Sequence, residues 1–213
     1  MGDIDIFKDD LFLGKKIIIT GATSGIGLTS AKQLAKMGAN LILTGRSLHK
    51  LKKVRSLLDK NSNIHIVEQD LSKKSSGAFL IESIPHEWLP LDGLFHAAGN
   101  ILLKPLSLSS QEDFDNLAQI SLYSILDISK FIAKKKYFAN GSSIVLMSSI
   151  ASMLGTTGLG YYSAIKSSIN SICRSMAIEL ATKNIRVNTI LSGAVETSMH
   201  NKITSTLSAD YID

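Results

Sequence analysis

The chain has 213 residues, of which 45% are apolar and 19% charged, and its net charge is +5. That length suits one domain with its own core, without help from disulfides or a structural metal. A single cysteine, Cys173, excludes an internal disulfide; no run of 18 apolar residues is present to span a membrane, and the basic residues lie in short scattered runs without interleaved aromatics, which argues against a nucleic-acid partner.

Met1 to Asp10 carries four aspartates and no apolar core, so it does not read as a secretory signal. Residues 1–14 are read as an extension, and the cytoplasm as the expected location. Lys16 to Thr20 (KIIIT) is an unbroken apolar run, and Asn40 to Thr44, Ile64 to Val67, Gly93 to Ala97, Ser143 to Met147 and Arg186 to Leu191 resemble it. Continuous apolar runs imply strands buried on both faces. Helical patterns lie between them at Gly25 to Met37, Ser47 to Asp59, Ser110 to Lys136 and Tyr161 to Thr182. The alternation predicts an α/β fold: a doubly wound parallel sheet of Rossmann type, about six strands with helices on both faces. Residues 1–213 form one domain in this reading, C-terminally short. Ligands of such sheets sit beyond the C-terminal strand ends.

The first strand runs into Thr20-Gly21-Ala22-Thr23-Ser24-Gly25-Ile26-Gly27. Glycines at a strand–helix turn let backbone amides approach a phosphate, and the helix dipole adds to their field. The second strand is followed by Arg46 instead of an acid for a ribose hydroxyl, which favours a 2′-phosphate and therefore NADP(H), with NAD(H) as second choice. Asp70 follows the third strand, placed to cap the next segment or to meet an adenine amino group. Tyr162 and Lys166 stand at i and i+4, on one helix face. The cation there is expected to lower the phenol's pKa and ready it for proton transfer. Tyr161 has Ile165 at the same spacing and gains no lysine. Ser149 lies just past the fifth strand, within reach of a substrate carbonyl. The five histidines are scattered, with no metal-ligand spacing, so no metal is expected.

These residues together resemble the short-chain dehydrogenase/reductase family from about Lys15 to Thr197. The resemblance rests on TGATSGIG at Thr20 to Gly27, Asp70, HAAG at His96 to Gly99, Ser149, YSAIK at Tyr162 to Lys166, IRVN at Ile185 to Asn188 and SGAVET at Ser192 to Thr197. It implies that Tyr162 is the proton donor, that Lys166 holds the nicotinamide ribose and that Ser149 orients the carbonyl. It also implies that Gly21, Thr23, Ser24, Gly25, Ile26 and Gly27 hold the pyrophosphate and its ribose. Asp70 and Leu71 would flank the adenine, and Ala97, Ala98 and Gly99 would line the cofactor. Gly193, Val195 and Thr197 would lie by the nicotinamide. Substrates would be small carbonyl compounds or acyl thioesters, a 3-oxoacyl thioester first, and the assembly a homodimer or homotetramer. Ile169, Ile172, Cys173, Met176, Ala177 and Leu180 recur at helical spacing, more apolar residues than one sheet-facing stripe needs, and suggest a subunit interface.

Four departures accompany the resemblance. His96 leads the HAAG segment where asparagine is usual, and a structural hydrogen bond between strands is its expected role. Ser121 stands where the family places a relay asparagine. Ser192-Gly193 replaces a proline-glycine pair. Residues 198–213 are read as the remnant of a substrate-binding loop, leaving the sixth strand as an open edge. Those departures motivate a second reading, a nucleotide-binding scaffold without turnover.

Overall fold

The computed structural model describes residues 10–58, 62–199 and 201. Six strands form one parallel sheet: β1 (Lys16–Thr20), β2 (Asn40–Gly45), β3 (Ile64–Glu68), β4 (Leu91–His96), β5 (Phe138–Ser149) and β6 (Arg186–Ser192). Their order is β3-β2-β1-β4-β5-β6. The reversal between β1 and β4 opens the crevice in which a doubly wound sheet holds ligands.

Helices α1 (Gly25–Lys36) and α2 (Leu48–Leu57) cover one face; α3 (Ser76–Glu82), α4 (Gln111–Ala118), α5 (Ser124–Ile132) and α6 (Gly160–Leu180) belong to the other. The unbroken Ile17-Ile18-Ile19 run explains why both faces need cover. Ile17 and Ile19 enter the core under α1 and α2, while Ile18 enters the opposite core with Ile128 and Ile169. At the β6 edge the cover thins. Val187 is buried, but Ile190 is 49% exposed.

The structure departs from the sequence reading in three places. The segment Ser110 to Lys136 is two helices joined by a π-helical turn, Gln119–Tyr123. Helix α3 was not anticipated; its seven residues include Gly77 and are too short for a periodic signal. Ile169, Cys173, Met176 and Leu180 of α6 are buried in the chain's own core, with Ile172 and Ala177 packed against it. The apolar excess of α6 therefore covers the sheet, and only Ile178, 78% exposed, faces outward as a large apolar side chain. Residues 1–9 and 202–213, read from the sequence as an extension and the end of a loop remnant, lie outside the described residues. No described helix is long and apolar enough to cross a membrane, and no cluster of metal-ligating side chains occurs among the described residues.

Candidate active site

A cleft of about 540 Å³ runs across the C-terminal strand ends. Its lining takes in Gly21, residues 23–27, Arg46, Asp70, Leu71, residues 97–99, Tyr162, Lys166 and Thr197. Four of the predicted site residues, Ser121, Ser149, Gly193 and Val195, do not line it. Thr44, Gln69, Ser72, Asn100, Ile101, Ile120, Met147, Ser148 and Met199 line it unanticipated. Most of them adjoin a strand end already singled out. Ile120 enters from the π turn, which the sequence did not signal.

Two glycines of the turn have no room for a Cβ. Gly21 has φ +65°, and a Cβ there would stand 2.9 Å from the Ala98 nitrogen. A Cβ on Gly27 would stand 2.4 Å from the Gly21 oxygen. The helix start is thus pressed against the strand end, with the first amides of α1 open toward the cleft. The Ala98 amide donates to Thr20 Oγ1 at 3.1 Å, fastening the 97–99 wall to the same turn. Thr44 Oγ1 on the cleft wall is buried without a hydrogen-bond partner among the described residues. A glycine cradle, open helix amides and a spare hydroxyl suit a dinucleotide pyrophosphate. Past the cradle, Asp70 accepts from the Ser72 amide and hydroxyl at 3.0 and 2.7 Å, which holds its carboxyl below the usual range; Lys73 and Arg46 add to the effect.

At the other end stand Tyr162 and Lys166, both buried on α6. Lys166 Nζ lies 5.6 Å from the Tyr162 ring centroid and donates to the Met147 oxygen at 2.9 Å. The phenol's pKa is shifted upward, against the direction the spacing predicted. Burial pushes Tyr162 above its ordinary value, with a hydrogen bond to Ser149 pulling the other way. Burial also lowers Lys166 to about 8. Ser149 Oγ accepts from the Ala151 amide at 3.2 Å. Tyr161 packs edge-on against Phe114, ring centroids 5.5 Å apart, and takes a structural place.

Ser121 lies buried behind Gly99. A Cβ on Gly99 would stand 3.2 Å from Ser121 Oγ and 3.6 Å from Lys166 Nζ. His96 forms its hydrogen bond to a helix, not between strands: Nε2 and Ser124 Oγ are 2.9 Å apart. Ser124 Oγ donates to the Ile120 oxygen at 2.5 Å, so the histidine must donate from Nε2. Burial and the Lys166 charge lower His96 to about 3, which keeps it neutral. The pair braces the π turn that brings Ile120 to the cleft and Ser121 behind Gly99.

A family profile described as enoyl-(acyl carrier protein) reductase matches residues 21–211. The chain belongs to the short-chain dehydrogenase/reductase family. It is 32% identical to a 3-oxoacyl-[acyl-carrier-protein] reductase of Rickettsia felis over 191 residues, 89% of this chain and 76% of that protein. A short-chain dehydrogenase/reductase of Brucella melitensis, described as a glucose/ribitol dehydrogenase, superposes with a TM-score of 0.86 at 27% identity, covering 94% of this chain and 80% of that one. A short-chain dehydrogenase of Shigella flexneri 2a, solved in complex with NADP, gives 0.82 at 26% identity, covering 97% and 85%. This short-chain dehydrogenase/reductase is accordingly an oxidoreductase of a family that uses a nicotinamide cofactor.

Proposed function

We propose that this protein is an NADP(H)-dependent carbonyl reductase, working as well in reverse on the alcohol, with NAD(H) as the weaker cofactor. The observation that carries the reading is that Tyr162 and Lys166 stand together at one end of a cleft whose other end holds the glycine turn and Arg46, with Ser149 behind the phenol. The cofactor, when bound, supplies or accepts the hydride. Tyr162 keeps its phenol proton at neutral pH and gives it to the substrate oxygen in reduction. Ser149 orients that oxygen. Lys166 brings a cation to the ribose side of the cleft, and Ser121 supports the wall behind Gly99. The amides at residues 23–27 hold the pyrophosphate, with Gly193, Val195 and Thr197 toward the nicotinamide, and Asp70 and Leu71 toward the adenine. Exposed Arg46 offers its guanidinium to a 2′-phosphate, and the NADP complex of the Shigella relative supports that choice.

A 3-oxoacyl thioester is the first substrate to try, given the Rickettsia relative. A single domain over residues 1–213, a homodimer or homotetramer and a cytoplasmic location complete the proposal. The test is NADPH oxidation by purified protein against ketones, diketones and 3-oxoacyl thioesters, with Tyr162→Phe alongside. Turnover that disappears in the variant upholds the reading. Undiminished turnover in Tyr162→Phe ends it, and NADPH binding without turnover of any carbonyl returns the scaffold reading.

A further inference from the structure

Ser149 and Tyr162 come from different elements, the end of β5 and the first turn of α6. Something must hold those elements in register, because a displacement of about 1 Å in a reacting constellation costs rate. The turn after Ser149 runs through Ile150–Ser152. Ser152 Oγ donates to the Ser149 main-chain oxygen at 2.6 Å. The same Oγ accepts from Asn170 Nδ2 at 2.8 Å. Ser167 Oγ donates to the Ser152 main-chain oxygen at 2.9 Å. Ser167 and Asn170 stand one and four residues after Lys166, so both grips come from the helix that carries Tyr162 and Lys166.

Asn170 Oδ1 is buried and has no hydrogen-bond partner among the described residues. A buried orphan acceptor costs stability, and an apolar residue of similar shape avoids that cost. Asparagine at this place therefore calls for a reason other than stability. Its amide donor is the link that reaches the turn of Ser149.

We infer that Asn170 is a positioning residue, which acts through Ser152 to hold the turn of Ser149 against the helix that carries Tyr162. The inference rests on the carbonyl-reductase reading for its kinetic arm, and on the grip of α6 on the Ser149 turn for its spectroscopic arm. Neither Asn170 nor Ser152 lines the cleft, so cofactor affinity is not their business.

The experiment compares wild type, Asn170→Leu, Ser152→Ala and the double variant. Asn170→Leu removes the orphan acceptor with the donor, so its Tm holds or rises. Its kcat falls about tenfold or more, with the Kd for NADPH unchanged, since small displacements of a reacting constellation cost rate before affinity. Ser152→Ala falls similarly, and the double variant falls no further, as one chain of contacts requires. Ultraviolet titration of the Tyr162 phenol, taken as the difference from Tyr162→Phe in each background, moves to higher pH in the variants because the Ser149 bond is loosened. A merely structural Asn170 lowers Tm and leaves that titration in place. A wild type with no turnover defeats the reductase reading but leaves the titration to decide the positioning. An unmoved Tyr162 midpoint in Asn170→Leu overturns the inference, as does a kcat within about twofold of an active wild type, the scatter expected of independent sites.

Discussion

Lys166 Nζ donates to the main-chain oxygen of Met147 at 2.9 Å, so the ammonium is tied to β5 rather than to the phenol four residues earlier. Ser148 Oγ returns the tie by donating to the Lys166 oxygen at 3.0 Å. The lysine is thus a fixed cation on the cleft wall, and burial alone lowers its pKa, to about 8. Its charge is present below that pH and lost above it. NADPH is an anion at both values, so its affinity should weaken as pH rises through about 8, by about tenfold if the charge contributes near 1.4 kcal/mol. Fluorescence titration of NADPH from pH 6.5 to 9.5 measures this. Lys166→Met should bind more weakly at pH 7 and show no inflection. An inflection surviving in Lys166→Met assigns it to another group.

Arg46 stands on the rim of the cleft beyond the glycine turn, exposed, with Asp70 close enough to feel its charge. An exposed guanidinium facing a phosphate contributes about 1–2 kcal/mol, less than a buried pair would. Arg46→Ala should therefore raise the Kd for NADPH about tenfold and leave that for NADH nearly unchanged. Asp70 then becomes the nearest charge to the vacated place, which further disfavours the phosphorylated cofactor. Equal losses for the two cofactors would assign Arg46 to general electrostatics and remove the basis for an NADP(H) preference.

His96 is neutral in the fold and ordinary when unfolded, so it links stability to pH. The folded pKa is about 3 and the reference value 6.5. Below pH 6.5 the unfolded chain takes up a proton that the folded chain refuses. Stability contributed by the neutral ring is therefore complete above pH 6.5 and falls with acid by up to about 1.4 kcal/mol per pH unit. Between pH 7 and 5 the wild type should lose about 2 kcal/mol more than His96→Asn, measured by urea unfolding at each pH. A variant that loses as much as wild type would place the acid sensitivity on other groups.

Much of this arrangement was legible because strand ends and glycines obey local rules. Lys16 to Thr20 could be read as a strand to the residue, since three adjacent isoleucines demand two covered faces. The glycine turn could be read because Gly21 and Gly27 stand where a Cβ has no space. What stayed hidden depends on distant partners. The π turn at Gln119–Tyr123 arises where Ser124 is held by His96 of β4, 28 residues away, and nothing in the local pattern marks it. Tyr162 and Lys166 have helical spacing, yet whether the ammonium serves the phenol or a main-chain oxygen is decided by where β5 ends. Asn170 had no signal of its own, because its partner Ser152 belongs to a turn whose course the sequence leaves open.

The two glycines Gly27 and Gly155 separate the cradle from ordinary loop. A Cβ on Gly27 would lie 2.4 Å from the Gly21 oxygen, a main-chain atom that cannot swing aside, whereas one on Gly155 would meet nothing within 4 Å. Gly27→Ala must push the start of α1 away from the strand end. Overpacking of this kind costs about 1–3 kcal/mol and spreads the amides that face the cleft. The expected outcome is a fall in Tm of several degrees together with loss of measurable NADPH binding. Gly155→Ala should leave both within error, or raise Tm slightly through a stiffer unfolded chain. Calorimetry and fluorescence titration on the pair distinguish the cases. Normal cofactor affinity in Gly27→Ala would mean that the turn tolerates displacement, and that the phosphates are held elsewhere along the cleft.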